Sequence, residues 1–467
     1  MPPLRLAPLA RRWLSIVLLG LTALATAFLA GCKGTPTPSE TQARAGLQAV
    51  TQAYHPAEHQ AALPALDTNA TLGTLLTYAM LNQPRVAAAY HDYAAAVERI
   101  TLERSLPDPR LTLEIDIQSV ATIVMPGLMT DLPWLKKLRL RADQASAESL
   151  SKYYAFETAV LQTAFEVKRP YYQLHFLQER LRIDRETLAL AGELEQSARV
   201  QNESGKATLQ DVLRAQIEQE RLKTQIANLE DSRHPLLAQL KAALGLRDDQ
   251  PDPPVPAQLE TTPLDLDSEK VFAAALARNP RLKAMEADMR MAEAGIQLAR
   301  LSKRPDFNFG LESDVKAAPV LWRPTFGVTL PIWRDKIAAE LASAQSLKHA
   351  AAARLSSEQI QLASDFSALS FAFREGTRNV KLLTDVQLPK ARLSLELARA
   401  GYSAGRADFI NLLDAQRTLF EFQLMEVDAR VERELALAEI SLLIVGTPPA
   451  DAPLLPNGPP SVTPAKK

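Results

Sequence analysis

The chain has 467 residues, 23% of them charged, with only 17 glycines and one cysteine. A formal net charge of -1 removes the electrostatic case for nucleic acid or an anionic membrane surface, and a single cysteine allows no intrachain disulfide. Few glycines beside abundant Ala, Leu, Glu, Gln and Arg predict long helices.

Residues 1–31 read as an export signal: Arg5, Arg11 and Arg12 precede an apolar run from Trp13 to Ala30, which ends in Leu29-Ala30-Gly31-Cys32. That ending resembles a bacterial lipoprotein lipobox, which implies a lipidated, palmitate-bearing Cys32. The competing reading is an uncleaved membrane helix. By the sorting behaviour of Gram-negative lipoproteins, Lys33 in place of an aspartate implies the outer membrane. Residues 32–71, with Pro, Thr and Ala and weak periodicity, read as a tether lying along the body.

A first unit spans 72–246. It opens with a helix over Leu72 to Ser105, stopped by Pro107 and Pro109. In Leu111-Thr-Leu-Glu-Ile-Asp-Ile-Gln118 odd positions are apolar and even ones polar, which predicts a strand with one oily and one wet face. Pro126 to Pro133 reads less clearly as a returning strand. From Trp134 to Gln201 only Pro170 interrupts a helix that would reach ~100 Å at 1.5 Å per residue. A return helix, Ala207 to Leu244, carries Val212, Ala215, Leu222, Ile226, Leu229, Leu236 and Leu240 at coiled-coil spacing, with Gln219 and Arg233 as polar interruptions. It is about half as long as its partner. The opening helix supplies the missing half, so the two could stack end to end beside the long one. Residues 247–267 hold five prolines and read as an extended linker.

The second unit, 268–446, repeats the first. Gly405-Arg-Ala-Asp-Phe-Ile-Asn-Leu-Leu-Asp-Ala-Gln416 matches Gly205-Lys-Ala-Thr-Leu-Gln-Asp-Val-Leu-Arg-Ala-Gln216 without a gap, each a glycine turn opening a helix. Pro84 and Pro109 recur as Pro280 and Pro305, Leu132-Pro133 as Leu330-Pro331, and Leu244-Gly245 as Val445-Gly446. Strands alternate again around Phe307, Phe309 and Leu311, and around Phe326, Val328 and Leu330. Pro170, Pro235 and Pro389 predict kinks or junctions between helical segments. Residues 447–467 are proline-rich and read as a disordered tail.

The predicted fold class is mainly α with a small β part: tandem-duplicated long antiparallel coiled-coil helices plus four transmembrane β-strands. Two hairpins cannot hide an apolar face in water and four strands cannot close a barrel, so other chains must complete the sheet. Alternating segments of this length, oily outside and polar inside, are the signature of a transmembrane barrel.

Over residues 72–446 the sequence resembles the TolC-type outer-membrane efflux proteins, in particular their lipoprotein members. The carriers are the two Gly-x-Ala-x-x-x-[Asp/Asn]-[Val/Leu]-Leu-x-Ala-Gln stretches, the Pro-Asp starts of both first strands and the Leu-Pro ends of both second strands. The resemblance implies a homotrimer whose 12-stranded barrel continues into an α-helical tunnel. It also implies passive conduction without catalysis or cofactor, and work with a periplasmic adaptor and an inner-membrane pump of the RND type. The rival readings are the outer component of a protein-secretion system and a non-conducting coiled-coil scaffold lipoprotein.

Glu114, Asp116, Glu312 and Asp314 fall on polar strand positions, as a cation-favouring pore lining or as a merely hydrated interior offset by Arg110 and Lys316. Family members commonly carry two aspartates three residues apart near the start of the second return helix. The matching residues are Asn411 and Asp414, which leaves a single ring of Asp414. Asp211 and Arg214 occupy the same positions in the first unit, and opposite charges there could latch a periplasmic gate; ordinary solvated first-turn charges are the alternative. Gly205, Lys206, Gly405 and Arg406 mark the tips where the family docks its adaptor, and are also simple turn residues. His55 and His59 are the only histidines near ligand spacing and are not read as a metal site. Met285, Met289 and Met291 read as packing.

Overall fold

The computed structural model describes residues 35–54, 63–67, 70–117, 122–205, 207–255, 268–314 and 321–448. Cys32 and the whole signal segment, His55, His59, Lys206, Lys316, most of the linker and nearly all of the tail lie outside the described residues.

The segment read as a tether contains a helix, α1 (Pro38–Ala53). Thr37 caps it by accepting from the Glu40 amide at 3.2 Å, and Pro38 sits at its first position, where a missing N–H costs nothing. Ala43, Leu47 and Val50 form its apolar stripe, which Tyr54 continues just past its end. Val50 and Tyr54 are buried in the main core.

The opening helix, predicted as one, is two: α2 (Leu72–Asn82) and α3 (Pro84–Arg104). Pro84 forces the break, because the residue before a proline is pushed out of the helical region, and Gln83 accordingly has ψ 119°. Then follow β1 (Arg110–Ile117), β2 (Thr122–Leu132), the 69-residue α4 (Leu135–Glu203) and α5 (Leu209–Leu244). The second unit gives α6 (Ser268–Arg278), α7 (Pro280–Arg300), β3 (Asp306–Asp314), β4 (Leu321–Thr329) and α8 (Arg334–Leu382). A π turn, Leu383–Gln387, leads into α9 (Leu388–Ser403), and α10 (Phe409–Glu439) ends in a second π segment, Ile440–Val445.

Pro170 and Pro235 lie inside continuous helices, whereas Pro389 stands two residues after the π turn. A proline lacks the amide for its helical bond and crowds the carbonyl four residues back; the wider π turn accommodates both.

The return helices stack on the breaks in the opening helices, as the lengths required. Asn82 Nδ2 donates to the carbonyls of Leu244 and Gly245 at 3.0 and 3.1 Å, and Gln83 Nε2 to those of Ala242 and Ala243 at 2.9 and 3.1 Å. In the second unit Asn279 Nδ2 donates to Leu443 and Ile444 at 3.0 and 2.9 Å. Helix-end carbonyls with no intrahelical partner are thereby satisfied. Gly245 and Gly446 close these ends in the left-handed region, at φ 72° and 75°. A Cβ at Gly245 would lie 2.9 Å from the Asn82 carbonyl oxygen, and one at Gly446 2.7 Å from Pro280 Cδ. Glycine is needed there twice over.

The central helix is α4, which packs against α3, α5, α7 and α10; α8 packs on α7 and α10. The main core gathers α1, α2, α3, the C-terminal part of α5 and the middle of α4 around Phe156, Tyr54 and Tyr90.

The two hairpins join into one antiparallel sheet of order β1-β2-β3-β4. β2 starts four residues earlier than its sequence suggests, because Met125 and Met129 occupy its otherwise polar face and blur the alternation. Lys137 at the head of α4 holds the junction, donating to Asp306 Oδ2 at 2.8 Å and to the Arg304 carbonyl at 3.0 Å, while Asp306 Oδ1 accepts from the Trp134 amide at 2.9 Å.

Candidate functional site

The sheet has two unlike faces. On one, Leu111, Leu113, Ile115, Leu128, Phe309, Phe326 and Val328 are all exposed, with Leu111 at 83%. Trp322 is exposed at one end of this face, and Trp333 is exposed four residues beyond the other end of β4. An apolar band flanked by aromatics is what a lipid-facing barrel wall requires.

On the other face the register aligns Thr112, Gly127, Glu312 and Arg323 in one row, Arg110, Met129, Gly310 and Thr325 in the next, and Asp131, Asn308 and Gly327 in a third. Neighbouring side chains lean over the glycines. A Cβ at Gly127 would lie 2.5 Å from Glu312 Cγ, one at Gly310 2.4 Å from Thr325 Oγ1, and one at Gly327 2.1 Å from Asn308 Oδ1. Side chains of neighbouring strands thus fill the space a Cβ would need, and glycine makes room for them.

Of the sequence-predicted acids, Glu114 and Glu312 sit on this polar face, Asp314 is buried on it, and Asp116 holds the register position opposite Ile123. Two charges of this face, Asp131 and Arg323, escaped the sequence reading, which names Arg110 as an offset to the acids. Arg110 is ion-paired with Asp131, and Arg323 stands directly across from Glu312 with a guanidinium nitrogen 3.6 Å from Met125 Sδ. Arg323 was missed because β4 begins at Leu321, ahead of the clear alternation around Phe326.

At the far end, both helical hairpins turn on a left-handed glycine, Gly205 at φ 74° and Gly405 at φ 68°. The turns are closed alike: the Ala207 amide donates to Gln201 at 3.2 Å, and the Ala407 amide to Gly401 at 3.2 Å. The two tips pack together through Leu194 and Ala198 of α4, Val212 and Ala215 of α5, and Tyr402, Phe409, Leu412 and Leu413 of the second hairpin.

The gate candidates separate. Asp211 accepts from the amide and hydroxyl of Thr208 at 3.1 and 2.8 Å as a capping box, and lies 3.9 Å from Arg214 one turn on. Within a protomer, therefore, Arg214 faces Asp211 and not Asp414. Asn411 and Asp414 are exposed, and Asp414 has no ion-pair partner among the described residues. Arg406 and Gly405 are exposed at the second tip.

A charged hub that the sequence did not reveal joins the hairpins above the tips. Glu218 of α5 is 3% exposed, and accepts from Arg417 of α10 at 2.6 Å and from Arg221 at 2.5 Å. Burial acting alone would raise the Glu218 carboxyl; the bonds from Arg417 and Arg221 outweigh it and hold it below the usual range. Arg399 of α9 reaches Glu193 of α4 at 3.0 Å, and Gln416 Nε2 donates to the Thr187 carbonyl at 3.3 Å. The signal was the seam itself: Glu218 interrupts an apolar helix face, next to the Gln219 interruption.

Among the described residues, no helix is long and apolar enough to cross a membrane, and no cluster of three His, Cys, Asp or Glu is placed to hold a metal ion.

Residues 75–246 and 271–445 match the family model described as outer membrane efflux protein. The cobalt-zinc-cadmium resistance protein CzcC of Cupriavidus metallidurans is 23% identical over 365 residues, covering 75% of this chain and 84% of that protein. The pyoverdine export outer membrane protein OpmQ of Pseudomonas putida is 27% identical over 179 residues, 36% of this chain and 37% of OpmQ. Among solved structures, CusC shares the fold with a TM-score of 0.68 at 20% identity, over 84% of this chain and 99% of CusC. VceC of Vibrio cholerae does so with a TM-score of 0.68 at 14% identity, over 80% and 96%. With both halves of the duplication matched, and a two-faced sheet carried on paired helical hairpins, the chain belongs to the outer membrane efflux protein family.

Proposed function

We propose that three copies of this chain close a 12-stranded barrel in the outer membrane, continued by their helices as a tunnel into the periplasm, and conduct solutes passively as the outer component of a tripartite export system. One observation carries this reading: a single four-stranded sheet exposes apolar side chains on one face, crowds polar ones over glycines on the other, and hangs on hairpins whose long helix has 69 residues. The edges β1 and β4 have no partner strand among the described residues, and an unpaired edge is untenable in lipid. Further support for association of copies comes from α8, where Ile360, Phe371 and Leu382 recur every eleven residues and are all exposed.

In this arrangement Cys32 carries the lipid anchor. Glu114, Asp131, Glu312 and Asp314, with Asp116 at the next such register position of β1, outnumber Arg110 and Arg323 and favour cations, a direction that suits the metal ions in the name of CzcC. Asp414 forms the acidic ring at the gate, and the Gly205 and Gly405 tips meet a periplasmic adaptor coupled to an RND-type pump. The test is to purify the full-length protein, measure its mass in detergent and record conductance in a planar bilayer under a KCl gradient. A trimer with cation-selective current is expected. A protein that stays monomeric and carries no current would leave a scaffold, not a conduit.

A further inference from the structure

Between α4, α9 and α10 lies a cavity of about 370 Å³ walled by charge. α4 contributes His175, Glu179 and Arg182 from one face, α9 contributes Arg392 from its first turns, and α10 contributes Glu426 and Arg430. The carboxylates are already committed. Arg182 donates to Glu179 at 2.9 Å and to Glu186 at 2.8 Å, and Arg430 is bonded to Glu426 along its own helix. The donors are not all used. Arg430 Nε and His175 Nδ1 are both buried without a hydrogen-bond partner, and Arg392 has no ion-pair partner among the described residues.

Three guanidinium groups thus face two carboxylates across a polar cavity, with unsatisfied N–H capacity on two helices and a free cation on the third. A buried donor left unmade is costly, and a guanidinium beside an empty polar volume is complementary to an oxyanion. Burial and the neighbouring Arg430 hold the His175 imidazole below its usual pKa, although Glu179 opposes them, so the neutral ring can present an Nδ1–H to an acceptor. A cation would find only carboxylates already engaged by arginine.

We propose that this cavity is a binding site for a small oxyanion such as phosphate, held by Arg392, Arg430 and His175. The first-unit cavity between α4 and α5 is built differently: Leu174, Leu177 and Leu181 line it, and its Arg185 is already bonded to Glu230 at 2.6 Å. Arg392 stands five residues after the π turn and three after Pro389. A bound oxyanion therefore ties the start of α9 to α4 and α10 at the one place where the long second-unit helix departs from α geometry. Anion occupancy would stiffen that junction.

The test uses the full-length protein in detergent and inorganic phosphate as the probe. Thermal unfolding is followed in rising phosphate against chloride at matched ionic strength, with calorimetric titration of phosphate alongside. The expected result is a saturable, phosphate-specific rise in Tm that follows ligand linkage. Arg392→Gln should weaken phosphate at least about tenfold, the loss of one charge-assisted contact of ~1.4 kcal/mol or more. Because Arg392 is exposed and unpaired, its Tm in chloride should match the wild type. Arg378→Gln, outside the cavity, should keep the full phosphate response. No phosphate-specific shift in the wild type, or an undiminished one in Arg392→Gln, overturns the proposal.

Discussion

Replacing Glu40 with alanine should free α1 from the body of the protein. Glu40 is 1% exposed, and its carboxylate accepts from Arg104 Nε at 2.5 Å, Thr101 Oγ1 at 2.8 Å and Arg44 Nε at 3.2 Å. Stranding a fully buried ion-pair partner costs ~3–5 kcal/mol. Here the discount is substantial, because Arg44 is 39% exposed and keeps Glu98 at 2.9 Å, so that only Arg104, at 16%, is left poorly solvated. Charge-assisted hydrogen bonds contribute ~1.5–3 kcal/mol, and about 2 kcal/mol is the fitting figure for docking of α1. That is about a thirtyfold rise in local opening. Hydrogen exchange over residues 38–53, with α3 as internal reference, reads it directly. Burial alone would raise the Glu40 carboxyl, but its three hydrogen bonds outweigh this and hold its pKa below 4.5. The stabilisation is therefore present above pH 4.5 and is lost as pH falls through the lower folded value. Acid should loosen α1 in the wild type and leave the variant little changed. Exchange of α1 in Glu40→Ala within twofold of wild type at neutral pH would refute the reasoning.

Three further outcomes follow from the geometry. Gly446→Ala should destabilise by more than the ~1–2 kcal/mol of a left-handed alanine, since its Cβ also meets Pro280 Cδ at 2.7 Å; denaturant unfolding checks this, and a change below 0.5 kcal/mol counts against it. Glu218→Ala and Arg417→Ala should be coupled by ~1–3 kcal/mol in a double-mutant cycle, whereas additive effects would mean that the hub does not hold the hairpins together. Asp414→Ala should raise the current through the closed channel in a planar bilayer. Unchanged closed-state conductance would remove Asp414 from the gate.

Periodicity exposed the parts of this fold whose environments are uniform along the chain. Both long hairpins, their glycine turns, the end-to-end stacking at Leu244 and three of the four strands follow from spacing and punctuation alone. What stayed hidden depends on partners far away in sequence. Pro84 looked like a landmark rather than a break because a proline is acceptable at the first turn of a helix, and only the Asn82 and Gln83 bonds to the end of α5 show why the break is useful. α1 escaped because its packing stripe rests on three of sixteen residues, Ala43, Leu47 and Val50, inside a proline-flanked segment, while the buried Glu40 that fastens it reads as a solvated acid. Arg323 and Asp131 matter only through cross-strand neighbours, Glu312 and Arg110. Pairings of that kind leave no local pattern.

The duplication also shows how equal sequences take unequal parts. Gln216 and Gln416 end the same repeated stretch, and both turn toward α4. Gln216 donates to the Glu195 side chain at 2.9 Å within its own hairpin, whereas Gln416 reaches across to the Thr187 backbone at 3.3 Å. α4 therefore receives both return helices, and the second hairpin is fastened to the first by two apolar patches, Leu194 and Ala198 against Tyr402 and Phe409 and Ile183 against Phe420 and Val427, and by the long polar side chains Gln416, Arg399 and Arg417. The first hairpin is satisfied locally, with Asp211 capped by Thr208 and near Arg214. Losing those three polar contacts would leave the second hairpin on the apolar patches alone, whereas the first keeps its own continuous packing of α5 along α4. Motion at the tips should accordingly belong to α9 and α10, swinging from the π turn at Leu383–Gln387, with α4 and α5 as the fixed wall.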